Sequence, residues 1–264
     1  MQKTKIVATI SDRCSDVSFI KSLYDEGMNV IRLNTAHQSP EDTLKVVENA
    51  RKVSERIALL LDTKGPEVRT VNSEVHVSLE QGDSVIIEGN PDKQSTQGHI
   101  CVSYGNFAND VPVGSLILID DGEVELYVES RKDNLLYCKV NNSGVVKPRK
   151  SVNVPNVRIN LPSVSAKDKD YIRFAAEQDL DFIAHSFVRN KEDVMAVQEI
   201  LDQYNSEIKI IAKIENQQGV DNIDEILEHV YGIMVARGDL AIEIPYEKIP
   251  GIQKSLINKC IEKR

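Results

Sequence analysis

The sequence predicts an α/β protein. Its core would be a TIM-type (β/α)8 barrel, incomplete at about six βα units, with an all-β domain inserted into it. Three observations carry that expectation. Short, continuous apolar runs alternate with helix-period segments over residues 1–70 and 156–264. Runs that are apolar on both faces belong to parallel strands covered by helices. Between about 71 and 155 the helical period vanishes, and short strand-like runs are punctuated by Gly, Pro, Asn and Asp. Finally, the charged and polar residues that interrupt the apolar runs fall at their C-terminal ends, where barrels of this kind carry their chemistry. An open parallel sheet is the plainer alternative for six units.

KIVATI (5–10) reads as the first strand. Val17 to Glu26 is helical, with Phe19, Ile20, Leu23 and Tyr24 at helical spacing and Gly27 as its stop. MNVIRLN (28–34) is the second strand, Pro40 to Glu55 the second helix with Leu44, Val47 and Ala50 inward, and IALLLD (57–62) the third strand. In the insert, EVHVSL, SVIIEG, HICVSY, SLILI, EVELYVES and LLYCKV are strands separated by turn formers such as Gln81-Gly82-Asp83 and Asp120-Asp121-Gly122. Ser165 to Asp168 is a capping-box pattern that opens a helix to Gln178. DFIAHSF (181–187) is strand four, followed by a helix from Asn190 to Tyr204. IKIIAKIEN (208–216) is strand five, followed by a helix from Asn222 to His229. GIMVARGD (232–239) is strand six, and Glu247 to Arg264 a last helix broken early by Pro250. The chain stops on that helix, two units short of barrel closure, and is expected to be the front part of a longer protein.

The chain is long enough for one large domain or two smaller ones, and its 41% hydrophobic and 28% charged residues are an ordinary globular balance. No apolar run approaches the length of a membrane span, and the N-terminus does not read as a signal peptide. A membrane partner is not expected, and a cytoplasmic location is. The net charge of −9 argues against a general nucleic-acid binder but leaves room for anionic small substrates in a local basic pocket. Cys14, Cys101, Cys138 and Cys260 lie far apart with no CxxC pair. They fit reduced thiols better than a disulfide frame or a zinc site.

The strand ends carry Arg32 and Asn34, then Asp62, Thr63, Glu67 and Arg69, then Lys213 and Glu215, then Arg237, Gly238 and Asp239. Residues two apart on a strand point the same way, so Lys213 and Glu215 share one side. A lysine there suits a phosphoryl or enolate oxygen. Glu215 and Asp239 together offer the one or two carboxylates that Mg2+ takes. Arg32 and Arg69 would neutralise a phosphate. The set suits phosphoryl transfer. Taken singly, each has a structural reading: Lys213–Glu215 reads equally as an internal ion pair, Asp239 as a cap, and Arg32 as a bridge to Asp62. Their convergence favours function.

KTKIVATI, NVIRLNTAH, LLLDTKGPEVRT, ILIDDGEVEL, INLPSVSAKDKD, IKIIAKIENQQGV and IMVARGDLAIEIP occur in the order and at the spacing of pyruvate kinase, which the chain resembles over its whole length. The resemblance implies a (β/α)8 barrel over 1–70 and 156–264, a β lid domain over 71–155, and, beyond Arg264, the remaining strands and a C-terminal α/β domain. It implies phosphoryl transfer between phosphoenolpyruvate and ADP, with Mg2+ (or Mn2+) and K+ as cofactors and a homotetramer for the complete protein. By motif, Arg32 would contact the phosphoryl group and Lys213 would stabilise the developing charge. Glu215 and Asp239 would bind the divalent ion, and Ala236, Arg237 and Gly238 would line the carboxylate pocket. Asn34, Asp62 and Thr63 would hold potassium. Asn34, His37, Arg69 and Lys150 would face the nucleotide, with Asp120 brought toward the cleft by the lid.

Some residues depart from the family pattern. Ala36 stands where a serine usually supplies a hydroxyl to the monovalent ion, which leaves the potassium set one ligand short. Ser11-Asp12 replaces a glycine-proline, Ser151 and Ala241 replace glycines, and His185 occupies a usually small position, where a structural role is expected. The 264 residues alone are expected to show little or no turnover. The competing reading is a divergent relative that binds metal or phosphate without turnover. A third, another phosphoenolpyruvate-handling barrel enzyme, is disfavoured by the insert after DTKGPEVRT.

Overall fold

The computed structural model describes residues 4–36 and 38–263. It opens with β1 (Ile6–Thr9), α1 (Val17–Asp25), β2 (Met28–Asn34), α2 (Pro40–Val53) and β3 (Ala58–Asp62). The helix starts follow from local chemistry. Asp16 accepts the Phe19 N–H to cap α1, and Ser39 accepts the Asp42 N–H to cap α2, whose first turn holds Pro40 where no N–H is needed. The chain next forms β4 (Val77–Leu79), β5 (Ser84–Gly89), β6 (His99–Val102), α3 (Phe107–Asp110), β7 (Leu116–Ile119), β8 (Val124–Lys132), β9 (Leu135–Val140), β10 (Gly144–Val146) and β11 (Val152–Asn153). It continues through α4 (Ala166–Glu177), β12 (Phe182–His185), α5 (Lys191–Gln203), β13 (Lys209–Ile214), α6 (Gln217–Asp221), α7 (Ile223–Ile226), β14 (Gly232–Val235), α8 (Arg237–Glu243) and α9 (Ile249–Glu262).

The barrel strands form one parallel sheet in the order β1-β2-β3-β12-β13-β14, the arrangement expected for βα units. β3 and β12 pair directly, Leu60 against Phe182 and Asp62 against Ala184, although the insert separates them in sequence. Central strands are buried on both faces, as Leu59, Leu60, Leu61 and Asp62 of β3 are. Burying each such leucine stabilises the fold by about 1.5–3 kcal/mol. The outer strand β1 differs: Ile6 is 46% and Val7 51% exposed. The insert has its own core around Ile87, Ile100, Phe107, Ile117 and Leu126. It contains a six-stranded sheet, β11-β7-β8-β9-β5-β6, and a two-stranded β4–β10 pair. No helix among the described residues is long and apolar enough to cross a membrane.

Four readings change. The insert is not purely β, since α3 interrupts it. The fifth βα connection divides differently, with α6 and α7 replacing one helix over 222–229. Strand six ends at Val235, and Arg237, Gly238 and Asp239 form the first turn of α8, because Leu240 and Ile244 are spaced to bury one helical face. Pro250 does not break the last helix; it sits in the first turn of α9, where its missing N–H costs nothing.

Two features join barrel and insert. The connectors run as an antiparallel ribbon: the Thr70 N–H donates to Lys150 O at 2.8 Å, the Arg149 N–H to Thr70 O at 3.1 Å, and the Val152 N–H to Val68 O at 2.9 Å. Just before the ribbon, the loop after β3 is pinned by Asp168, which is wholly buried. Its carboxylate accepts the Lys64 N–H at 2.9 Å, the Gly65 N–H at 3.2 Å and the Ser165 hydroxyl at 2.6 Å. Gly65 is required there: its φ is +74°, and a Cβ would fall 2.7 Å from that of Ser186. Asp168→Ala leaves two backbone donors unpaired. It is expected to lower the unfolding free energy by about 2–4 kcal/mol, read from the urea midpoint at unchanged slope.

Candidate active site

Successive strands of the barrel sheet deliver the site. β2 brings Arg32, β3 Asp62 and the residue just after β12 Ser186; β13 brings Lys213 with Glu215 just beyond it, and the first turn of α8, after β14, brings Asp239. Asp62 is the hub. Only 2% of its side chain is exposed, and it pairs with Arg32 through Nε at 2.6 Å and with Lys213 through Nζ at 3.1 Å. Lys213 also reaches Glu215 Oε1 at 2.9 Å and donates to the Ser186 hydroxyl at 2.6 Å. Ser186 in turn donates to Thr63 O at 2.6 Å. The second oxygen of Glu215 accepts the Phe187 N–H at 2.6 Å. The segment IIAKIEN therefore tolerates its charges because a lysine is enclosed by two carboxylates and a hydroxyl, each partner supplied by a different strand end.

The electrostatics follow from this enclosure. Burial pulls the Lys213 pKa down, but its attraction to Glu215 and Asp62 outweighs burial and holds it above the ordinary lysine value. Burial raises the Glu215 carboxyl, partly offset by Lys213, and the neighbouring Asp239 charge raises it further. Asp239, open on its cleft side, is also raised, by its partial burial first, and Lys213 opposes that shift. Two carboxylates whose charges are disfavoured beside one lysine form an oxygen donor set suited to a divalent cation that relieves their repulsion. The residues present fit such an ion.

A cavity of about 530 Å3 separates these strand ends from the insert. Glu215, Asp239 and Glu243 line one wall, and Glu67, Arg69 and Asp121 another. Arg69 donates to Glu67 at 2.6 Å and to Arg149 O at 2.5 Å, which fixes it along the ribbon. Burial pushes the Glu243 carboxyl up.

The sequence-derived site residues distribute unevenly. Arg32, Asp62, Lys213 and Glu215 form one network, and Glu215 and Asp239 face one cavity. Arg32 is bridged to Asp62 and also donates to the Thr9 hydroxyl at 2.9 Å. Asn34 caps locally, its Oδ1 accepting the Ala36 N–H at 3.1 Å. Thr63 accepts the Ser186 N–H and lies 3.2 Å from His185 Nδ1. Ala236, Arg237 and Gly238 lie at the start of α8, outside the cavity wall, which takes Asp239, Ile242 and Glu243 from that helix. Lys150 pairs with Asp120 at 2.9 Å, and neither lines the cavity; their neighbours Ser151 and Asp121 do. His37 lies outside the described residues. His185 is wholly buried, and burial lowers its pKa to about 4, a neutral structural imidazole. Ser186, Asp168 and Glu243 were missed by reading the sequence. Ser186 could have been found, because it is a polar residue at a strand end like the others.

Comparisons with known proteins point to one family. Residues 1–264 match the family profile described as pyruvate kinase, barrel domain. Over 98% of the chain, a curated pyruvate kinase from Borreliella burgdorferi is 52% identical and one from Staphylococcus aureus 46% identical. A crystal structure of a pyruvate kinase from Cryptosporidium parvum superposes with a TM-score of 0.92 at 40% identity, over 98% of this chain and 55% of that one. The chain spans about half the length of the curated relatives it matches: 54% of the first and 46% of the second.

Proposed function

The chain belongs to the pyruvate kinase family, and we propose that the complete protein transfers a phosphoryl group from phosphoenolpyruvate to ADP in the cytoplasm, giving pyruvate and ATP. The observation that carries this reading is the enclosure of Lys213 by Glu215 and Asp62 at the edge of a cleft that also presents Asp239. In this reading residues 1–70 and 156–264 are barrel, and 71–155 are the lid.

Lys213 keeps its positive charge across the physiological range and faces the oxygens on which negative charge develops as the phosphoryl group departs and the enolate forms. Ser186 and Asp62 hold its ammonium in place. Arg32, fixed by Asp62 and Thr9, presents its remaining N–H donors to the phosphoryl group. Glu215 and Asp239 hold Mg2+ (or Mn2+). When bound, that ion supplies a fixed double positive charge against substrate oxygens. The backbone of Ala236, Arg237 and Gly238 takes the substrate carboxylate, and Arg69, His37, Asn34 and Lys150 take the nucleotide as the lid closes and excludes water. Asn34, Asp62 and Thr63 hold K+ with one hydroxyl fewer than usual, because position 36 is alanine. The complete protein acts as a homotetramer.

A coupled assay on the complete protein tests this: pyruvate must form from phosphoenolpyruvate only with ADP and Mg2+ present, with ATP in equal amount. Metal binding without turnover would favour the non-catalytic alternative that Ala36 raises.

The assay also has a predicted pH response. Glu215 and Asp239 have raised pKa values, so the metal-free fold disfavours their charged forms relative to free carboxylates. Their penalty on stability is present above those values and is lost as pH falls through them. The ion needs both deprotonated. Its apparent affinity is therefore expected to fall on acidification, by about tenfold per pH unit for each carboxylate that must lose a proton. The stabilisation of the protein by Mg2+, read as a shift in Tm, is expected to shrink in the same range.

A further inference from the structure

One cluster of metal-ligating side chains lies away from the cleft. Glu88 of β5 and His99 and Cys101 of β6 each offer a ligand atom, and the three atoms lie within 4.8 Å of one another. The register explains the meeting: Glu88 is directly opposite Cys101 on the adjacent parallel strand, and His99 precedes Cys101 by two, on the same face. The opposite face carries Ile87, Ile100 and Val102 into the core of the insert.

The cluster is enclosed and held. Cys101 is fully buried, and the side chains of Glu88 and His99 are only 13% and 22% exposed. The loop between the strands folds back over them. The Ser95 hydroxyl accepts the Cys101 N–H at 3.0 Å, and Thr96 and His99 exchange backbone hydrogen bonds at 2.8 and 3.0 Å. His99 Nε2 comes within 2.7 Å of Glu88 Oε2 but off the hydrogen-bonding direction, so this buried nitrogen has no hydrogen-bond partner among the described residues. Lys93 meets the same Glu88 oxygen at 2.7 Å, and the other oxygen accepts from the Asn90 amide at 3.0 Å.

We propose that Glu88, His99 and Cys101 form a zinc site in the lid, separate from the catalytic cleft. Thiolate, imidazole and carboxylate together match the borderline-soft Zn2+ and not Mg2+ or K+. In a tetrahedral Zn2+ shell such ligand atoms are about 3.3–3.8 Å apart, so the Glu88–His99 pair, now 2.7 Å apart, opens slightly while the Cys101 sulfur, within 4.8 Å of both, closes on them. Side-chain rotation supplies that without moving the strands. Solvent takes the fourth position on the His99 side, and Lys93 is released from Glu88. The Cys101 thiol gives up its proton as the Zn–S bond forms, so one proton leaves per ion bound and binding strengthens as pH rises. Burial, which raises the Cys101 thiol, extends that dependence to higher pH. Because the Val71 N–H donates to Cys101 O at 3.0 Å, an ion here also braces the strand that abuts the ribbon.

Cobalt is the probe. Titrating the reduced complete protein with Co2+ should give one near-ultraviolet thiolate-to-metal charge-transfer band, saturating at one ion per chain and displaced by equimolar Zn2+. Cys101→Ser should abolish the band, and His99→Ala should weaken Zn2+ binding about 10–100-fold. A Cys14→Ser/Cys260→Ser double variant should keep both. If Cys101→Ser does not fold, His99→Gln at the partly exposed position carries the same test. No saturable band, a band that survives Cys101→Ser, or a His99 variant that binds Zn2+ as tightly as the parent protein overturns the proposal.

Discussion

Lys213→Met in the complete protein is expected to lower kcat by about a thousandfold while leaving the Mg2+ requirement no weaker. The split follows from the geometry. Lys213 sits 2.9 Å from Glu215 and 3.1 Å from Asp62, so it carries the charge that faces the departing phosphoryl group and is not itself a metal ligand. Loss of one preorganised charge of this kind removes about 3–4 kcal/mol of transition-state stabilisation. Glu215, freed of its ammonium partner, attracts a divalent ion at least as strongly. The same change leaves two buried carboxylates with one cation, Arg32, between them. Stability should therefore drop by about 3 kcal/mol without added metal and recover partly with it. Steady-state kinetics with Mg2+ varied separate the two effects. Undiminished kcat would remove Lys213 from the chemistry.

Glu215→Gln should show the reverse split. The amide oxygen still accepts the Phe187 N–H and the shape is kept, but the charge that holds both the ion and Lys213 is gone. Apparent Mg2+ affinity is expected to fall about a hundredfold, with partial recovery of rate at high Mg2+. Isothermal titration with Mg2+ or Mn2+ reads it directly. An unchanged affinity would assign the ion to other ligands.

The residues explain how much of this was legible in advance. β2, β3 and β13 read cleanly because each is a continuous apolar run closed by polar residues, and Asp16 and Ser39 announce their helices. Lys213 and Glu215 were legible as a pair because the two-residue strand period fixes their shared side. Their further partners were not. Asp62 and Ser186 meet Lys213 from other strands, and no spacing within one segment encodes that distance. Arg237 to Asp239 misread as strand because MVARGD continues an apolar run, while the helical signal lies after it in Leu240 and Ile244. α3 is too short to show a period. Glu88, His99 and Cys101 carry no local spacing signal, because the cluster mixes three residue types across two strands.

The paired connectors limit how the lid travels. Two chains cross-linked by main-chain hydrogen bonds at Val68, Thr70, Arg149, Lys150 and Val152 behave as a leaf spring, compliant perpendicular to the leaf and stiff against shear within it. Arg69 is clamped to that leaf through Glu67 and Arg149. In the proposed closure of the insert over the cleft, the guanidinium would therefore travel with the ribbon, so that closing the cap and delivering its charge would be one movement.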